Sequence, residues 1–162
     1  MSGPYRPQNR NPNSSPHSGG GGGGSYRPPN QAQPLPAFQP AEYFADKKAG
    51  RLRPELLCED AETTAKKLNE EKLPNAQLRK FFGEVRHLEK MVSTQGFDVV
   101  RPLVRMLAAK AHYSLGREKI KPSFCAFLSG HAKKIQDADD FAAFVKHFEA
   151  IVGFHYYLNP KG

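Results

Sequence analysis

The sequence predicts an all-α fold, a compact bundle of five to six helices. Three observations carry that prediction. Apolar residues recur at three- and four-residue spacing through most of residues 41–162. No stretch shows the apolar–polar alternation of a convincing strand. The connections between periodic stretches are short. Residues 1–40 stand apart. They hold Pro, Asn, Gln, Ser and a run of glycines from Gly19 to Gly24, and bury too little apolar surface to offset the entropy of ordering them. The reading is a disordered tail, 1–40, followed by one helical domain, 41–162. The tail repeats Tyr5-Arg6-Pro7 as Tyr26-Arg27-Pro28. An Arg beside a Tyr can pair with phosphate while the ring stacks on a base, although a solvated tail explains the echo more simply.

In order, Ala41 to Ala49 is expected as a short helix docked by Tyr43 and Phe44. Pro54 suits the first turn of a second helix. Glu55, Glu59 and Asp60 lie at its positive end, Lys66 and Lys67 at its negative end, and Leu56, Leu57, Ala61, Ala65 and Leu68 on its core face. The third helix, Asn75 to Val92, is the most informative. Leu78, Phe81, Phe82, Val85, Leu88 and Val92 share one side, and Arg79, Arg86 and Lys90 share a strip well off it. Asn75 is expected as its N-cap. Gly96 is a C′ residue. The fourth helix covers about Asp98 to Leu115, with Pro102 arguing for a start nearer Arg101 and Gly116 ending it. Arg101, Arg105 and His112 form one of its polar strips, and Lys110, Tyr113 and Arg117 form another. Pro122 opens a fifth helix, Ser123 to Gln136. The sixth, Phe141 to Tyr157, is the most apolar, with Asp137, Asp139 and Asp140 about its start and small residues Ala143, Ala150 and Gly153 opposite its main stripe. A helix apolar on more than one face is buried centrally or meets another subunit.

Charge and composition bound the function. The net charge is +8. From Lys72 to Lys134, thirteen Lys/Arg oppose Glu84, Glu89, Asp98 and Glu118, a net +9 that exceeds the whole chain. Such separation suits a polyanion on one side of the fold; a basic protein kept soluble by its charge is the plainer alternative. No apolar run approaches bilayer length and no secretory h-region is present, so a cytoplasmic protein without a membrane segment is expected. Cys58 and Cys125 match no CxxC pattern and read as reduced thiols.

Catalytic patterns are absent. Gly19 to Gly24 lacks the Lys-Ser/Thr of a phosphate-binding loop, and there is no GxSxG or HExxH. His147 and His155 with Glu149 are the nearest approach to a metal set, but the two histidines diverge by about 80° on a helical wheel. No metal, no cofactor and no catalytic residue is expected. A histidine nuclease using His112 or His147 is motivated by histidine count alone. The cation strips are more specific, because a row of Arg and Lys can track phosphates without reading a base. Arg79, Arg86, Lys90, Arg101 and Arg105 are the candidates on this argument, expected on one exposed flank of consecutive helices. The same basic helices would serve a helix-turn-helix DNA-binding regulator, for which the Gln95-Gly96 turn is the candidate.

Several stretches resemble one family. They are Asn75–Val85 (NAQLRKFFGEV), Leu107–Glu118 (LAAKAHYSLGRE), Ile120-Lys121 followed by Phe124, and Phe144–Gly162 (FVKHFEAIVGFHYYLNPKG). Together they are similar to the small helical subunit of type III-A CRISPR effector complexes, over about 115 residues. The resemblance implies an α-helical, non-catalytic domain that stacks in several copies. It lines the channel holding guide RNA paired with target RNA, beside backbone and large subunits. Carried over residue by residue, it points to Arg79, Lys110 and Arg117 as RNA-facing. Gln77 departs from the family, many of whose members have Lys there, and the Gly/Pro tail lies outside the family pattern.

Overall fold

A computed structural model describes Gly3 and residues 34–161; the Tyr-Arg-Pro echoes and the glycine run lie outside the described residues. The chain order is β1 (Phe44–Asp46), β2 (Arg51–Leu52), α1 (Pro54–Leu57), α2 (Glu59–Glu70), α3 (Asn75–Gln95), α4 (Phe97–Gly116), α5 (Pro122–Lys134) and α6 (Ala138–Leu158). The all-α prediction holds, with one small addition. The helix expected over Ala41–Ala49 is instead a hairpin, β1 pairing antiparallel with β2 through Phe44↔Leu52. The turn chemistry decides this. Asp46 Oδ1 accepts from the Ala49 N–H at 3.1 Å, and Gly50 takes φ +65°, a conformation glycine adopts without steric cost.

Other boundaries move for identifiable reasons. The second predicted helix breaks at Cys58 (φ −118°, ψ −91°), separating α1 from α2. Pro74, not Asn75, occupies the cap position of α3. Asn75 is the first helical residue, buried, and its Nδ2 donates to the Asn159 carbonyl at 2.8 Å, tying the start of α3 to the end of α6. α4 begins at Phe97 and carries Pro102 in its second turn. Gly96 at φ +86° permits the reversal, and buried Phe97 packs toward Phe141, so burial of Phe97 outweighs the hydrogen bond lost at Pro102. Gly116 is the last helical residue rather than the stop; Glu118 takes the left-handed position at φ +56°. Asp137 caps α6 as its position predicts, accepting from the Asp140 N–H at 2.9 Å.

α6 sits between α2 and α3 and also meets α1, while α4 packs on α3 and α5. The core is phenylalanine-rich. Phe124 lies 5.6 Å from Phe81 and 6.0 Å from Phe127, and Phe148 lies 5.5 Å from Phe127. Such offset and edge contacts stabilise beyond area burial alone. Leu35 and Phe38, which precede the first strand, also pack against this core. Phe38 packs 5.8 Å from Phe127, and the strap carrying it passes so close to α5 that a β-carbon on Gly130 would lie 2.6 Å from Phe38 Cδ1.

Candidate nucleic-acid interface

The hairpin of α3 and α4 organises the cations. Gly96 alone links the two helices. The Lys110–Glu84 ion pair at 2.8 Å still joins them twelve and fourteen residues from that link, about 20 Å along each helix at 1.5 Å per residue. The helices therefore run nearly antiparallel, and the first turns of α3 lie beside the last turns of α4. The Asn75–Asn159 bond brings the end of α6 to the same level, and Ser123 Oγ bonds Glu71 Oε1, bringing the start of α5 there too. This end of the bundle is a basic pole.

At the pole stand Arg79 and Arg117, both exposed, with Lys110 about two turns inward from Arg117. Arg79 Nε donates to the Tyr156 hydroxyl at 2.8 Å, its guanidinium 5.6 Å from the ring centroid. Arg117 Nη1 donates to the Tyr113 hydroxyl at 2.9 Å, also 5.6 Å from its ring. Neither pairing neutralises the guanidinium, and each leaves N–H groups for a further acceptor. Lys72, Lys80, Lys119 and Lys121 are exposed nearby, against Glu70, Glu71 and Glu118. The left-handed residues Lys72 (φ +57°) and Glu118 close the helix ends that frame the pole: the Leu73 N–H reaches the Leu68 carbonyl at 3.0 Å, and the Lys119 N–H reaches Ser114 at 2.9 Å.

The remaining candidates lie elsewhere. Arg86 pairs with Glu89 at 2.7 Å, and Lys90, exposed near the Gly96 end, has no partner for its ammonium among the described residues. Arg101 and Arg105 both donate to Gln136 Oε1, at 2.9 and 3.4 Å, beside the α5–α6 connection. Arg101 and Lys110 are nine positions apart and so point to opposite sides of α4. On α3, Arg79 turns toward α6 whereas Glu84 turns toward α4. The single exposed flank expected of Arg79, Arg86, Lys90, Arg101 and Arg105 is not formed: Arg79 reaches Tyr156 near the end of α6, whereas Arg101 and Arg105 reach Gln136 before its start. The structure brings Arg79, Lys110 and Arg117 to one end, and places Arg86, Lys90, Arg101 and Arg105 toward the other in two groups.

Two sequence alternatives also meet the geometry. The Gln95-Gly96 junction is a one-residue antiparallel hairpin, unlike the three- to four-residue turn and 90–120° crossing of a helix-turn-helix. His112 is exposed and bonded to its own helix at the Ala108 carbonyl, whereas His147 is buried, its Nδ1–H donating to the Leu56 carbonyl at 2.6 Å. They face no common space. Among the described residues no group of three His, Cys, Asp or Glu is placed to hold a metal ion. No helix there is long and apolar enough to cross a membrane.

Sequence reasoning lined up Tyr113 with Arg117 but assigned the ring no role, although their i,i+4 spacing is visible in the chain. Tyr156 gave no local signal, being 77 residues from Arg79. A buried histidine pair was missed as a unit. His131 and His147 lie 5.5 Å apart, centroid to centroid, beneath the strap, with Tyr43 Oη 2.6 Å from His131 Nδ1. Burial, then His147 and Lys134, hold His131 well below the ordinary histidine range; burial likewise depresses His147. Both are neutral near pH 7, and the cavity of about 330 Å³ beside them reaches Asp60 and Arg53.

Comparison with known proteins places this geometry in a lineage. No curated protein and no solved structure matches the chain. The family model described as Csm2 Type III-A matches residues 51–161, from β2 to the end of the described chain and including every residue of the basic pole. The chain belongs to the Csm2 family, the small subunit of type III-A CRISPR complexes.

Proposed function

We propose that this chain is a non-catalytic RNA-holding subunit whose basic pole contacts the sugar-phosphate backbone of guide RNA and target RNA. In a guide-dependent complex, sequence is read by base pairing between the strands, so a protein lining the channel needs placement and charge rather than base-edge contacts. The observation that carries the reading is that Arg79 and Arg117 stand at the same end of the α3–α4 hairpin, each anchored to a tyrosine and neither neutralised by a carboxylate. Arg86, Lys90, Arg101 and Arg105 are secondary in this reading, being paired with Glu89, shared on Gln136 or set apart from the pole. The exposed apolar side chains Val99, Leu103 and Met106 on α4 support assembly with protein neighbours: further copies of the chain, and the backbone and large subunits.

The test is fluorescence anisotropy with a labelled single-stranded RNA, at several salt concentrations. The double variant R79E/R117E weakens binding by more than tenfold and flattens the salt dependence, because fewer counterions are released. R101E/R105E has a smaller effect, and helical circular dichroism is unchanged in both. Equal losses from the two pairs, or none from the first, would overturn the pole as the RNA-facing surface.

A further inference from the structure

Tyr113 is nearly two-thirds exposed, at 64 %, and is the exposed aromatic residue of α4. Its hydroxyl is held by Arg117, so the ring is fixed by an i,i+4 contact along α4. The second pair, Arg79 with Tyr156, repeats the arrangement at the same end of the bundle but across two helices, with the same 5.6 Å from guanidinium to ring. Two unrelated places in the sequence thus present a tyrosine face pre-oriented by an arginine that keeps donors free. An exposed aromatic ring beside uncompensated positive charge is the chemistry that holds single-stranded nucleic acid, since every base has a π-face. Pre-ordering the ring lowers the entropy lost when a base lands on it.

We propose that Tyr113 is a stacking platform for an unpaired base of single-stranded RNA, with Arg117 taking the adjoining phosphate and Tyr156–Arg79 offering a second, less exposed platform. This rests on the RNA reading of the pole and adds to it a preference that backbone contacts alone lack. Bases paired in a duplex are stacked on one another and cannot land on the ring. The pole therefore favours single strands, or segments where pairing is interrupted.

The experiment uses the full chain with a labelled twelve-nucleotide oligouridylate, its DNA counterpart and a twelve-base-pair RNA duplex. The variants are Y113F, Y113L and R117Q. Y113L weakens single-strand binding about fivefold or more, the low end of base–aromatic stacking, and leaves duplex binding and the salt slope unchanged. Y113F stays within about twofold of the parent. R117Q lowers the salt slope. The DNA arm separates stacking common to both nucleic acids from contacts to the 2′-hydroxyl. Y113L binding single strands like the parent overturns the platform. If R79E/R117E still abolishes binding, the backbone reading survives that result. If the parent binds no RNA, both readings fall. Unchanged RNA affinity with reduced self-association in Y113L also overturns the platform, and assigns the ring to a protein interface.

Discussion

Gly130 offers a test in which the sign of one substitution depends on a residue ninety-two positions away. It lies inside α5, where alanine is favoured over glycine by about 0.8–1.0 kcal/mol. An added β-carbon would lie 2.6 Å from Phe38 Cδ1, 3.0 Å from Cε1 and 3.3 Å from Pro40 Cγ. Over-packing of this kind costs about 1–3 kcal/mol, so Gly130→Ala in the parent destabilises by up to about 2 kcal/mol after the helix gain is credited. With Phe38→Ala the ring is gone and the remaining contact with Pro40 is relieved by a small shift. The same Gly130→Ala then stabilises by up to about 1 kcal/mol. Urea unfolding of the four chains of this cycle, followed by far-ultraviolet circular dichroism, gives a coupling energy of about 1–3 kcal/mol if the strap approaches α5 as described. Stabilisation by Gly130→Ala in both backgrounds would refute the close approach, and with it the packing of Phe38 on α5.

Other predictions bear on the buried histidines, the pole and the α4 stripe. His131 and His147 are held below the ordinary histidine value of 6.5 by burial. The unfolded chain therefore takes up protons first as pH falls. Stability is full above about pH 6.5 and is lost below it, with a slope approaching about 1.4 kcal/mol per pH unit for each histidine. A flat profile of unfolding free energy between pH 5 and 6.5 contradicts this. Glu118→Gly relieves a left-handed residue, worth about 1–2 kcal/mol, against about 0.5–1 kcal/mol for glycine's added freedom. The expected result is a melting temperature about 2 °C higher and slightly tighter RNA binding, and a lower melting temperature counts against the assigned backbone. Leu103→Asp, at a position 37 % exposed, leaves the melting temperature nearly unchanged and reduces association in sedimentation velocity; unchanged association removes the α4 stripe as a protein contact.

The helices were readable in the chain because burial follows their period. Leu78, Phe81, Val85 and Leu88 of α3, and Phe124, Phe127, Leu128, Ala132 and Ile135 about α5, are all buried as their spacing requires. What escaped was set by contacts between distant residues. Asn75 looked like a cap because Asn commonly is one; its Nδ2 instead donates to the Asn159 carbonyl, 84 positions away. The turn at Asp46 and Gly50 has its residue types in the sequence, but the stretch reads as a helix, and the pairing of Phe44 with Leu52 that fixes the hairpin spans eight positions. For the interface, residue type was legible and placement was not. A helical wheel finds the strips on one helix but not which neighbour each strip faces, so Arg79 and Arg101 are expected on one flank although Arg79 reaches Tyr156 near the end of α6 and Arg101 reaches Gln136 before its start. Of the positions carried by family likeness, Arg79 and Arg117 lie at the same end of the bundle, and Lys110 pairs with Glu84 further along it.

The break between α1 and α2 has a practical consequence. It leaves Cys58 exposed, while Cys125 is buried and its thiol is pushed up by that burial. A maleimide dye should therefore attach at one address. That address borders the part of the bundle built by α1, α2 and α6, on other elements than the Tyr113–Arg117 pair of α4, so the fluorophore could follow the subunit's incorporation into a larger particle without covering that pair.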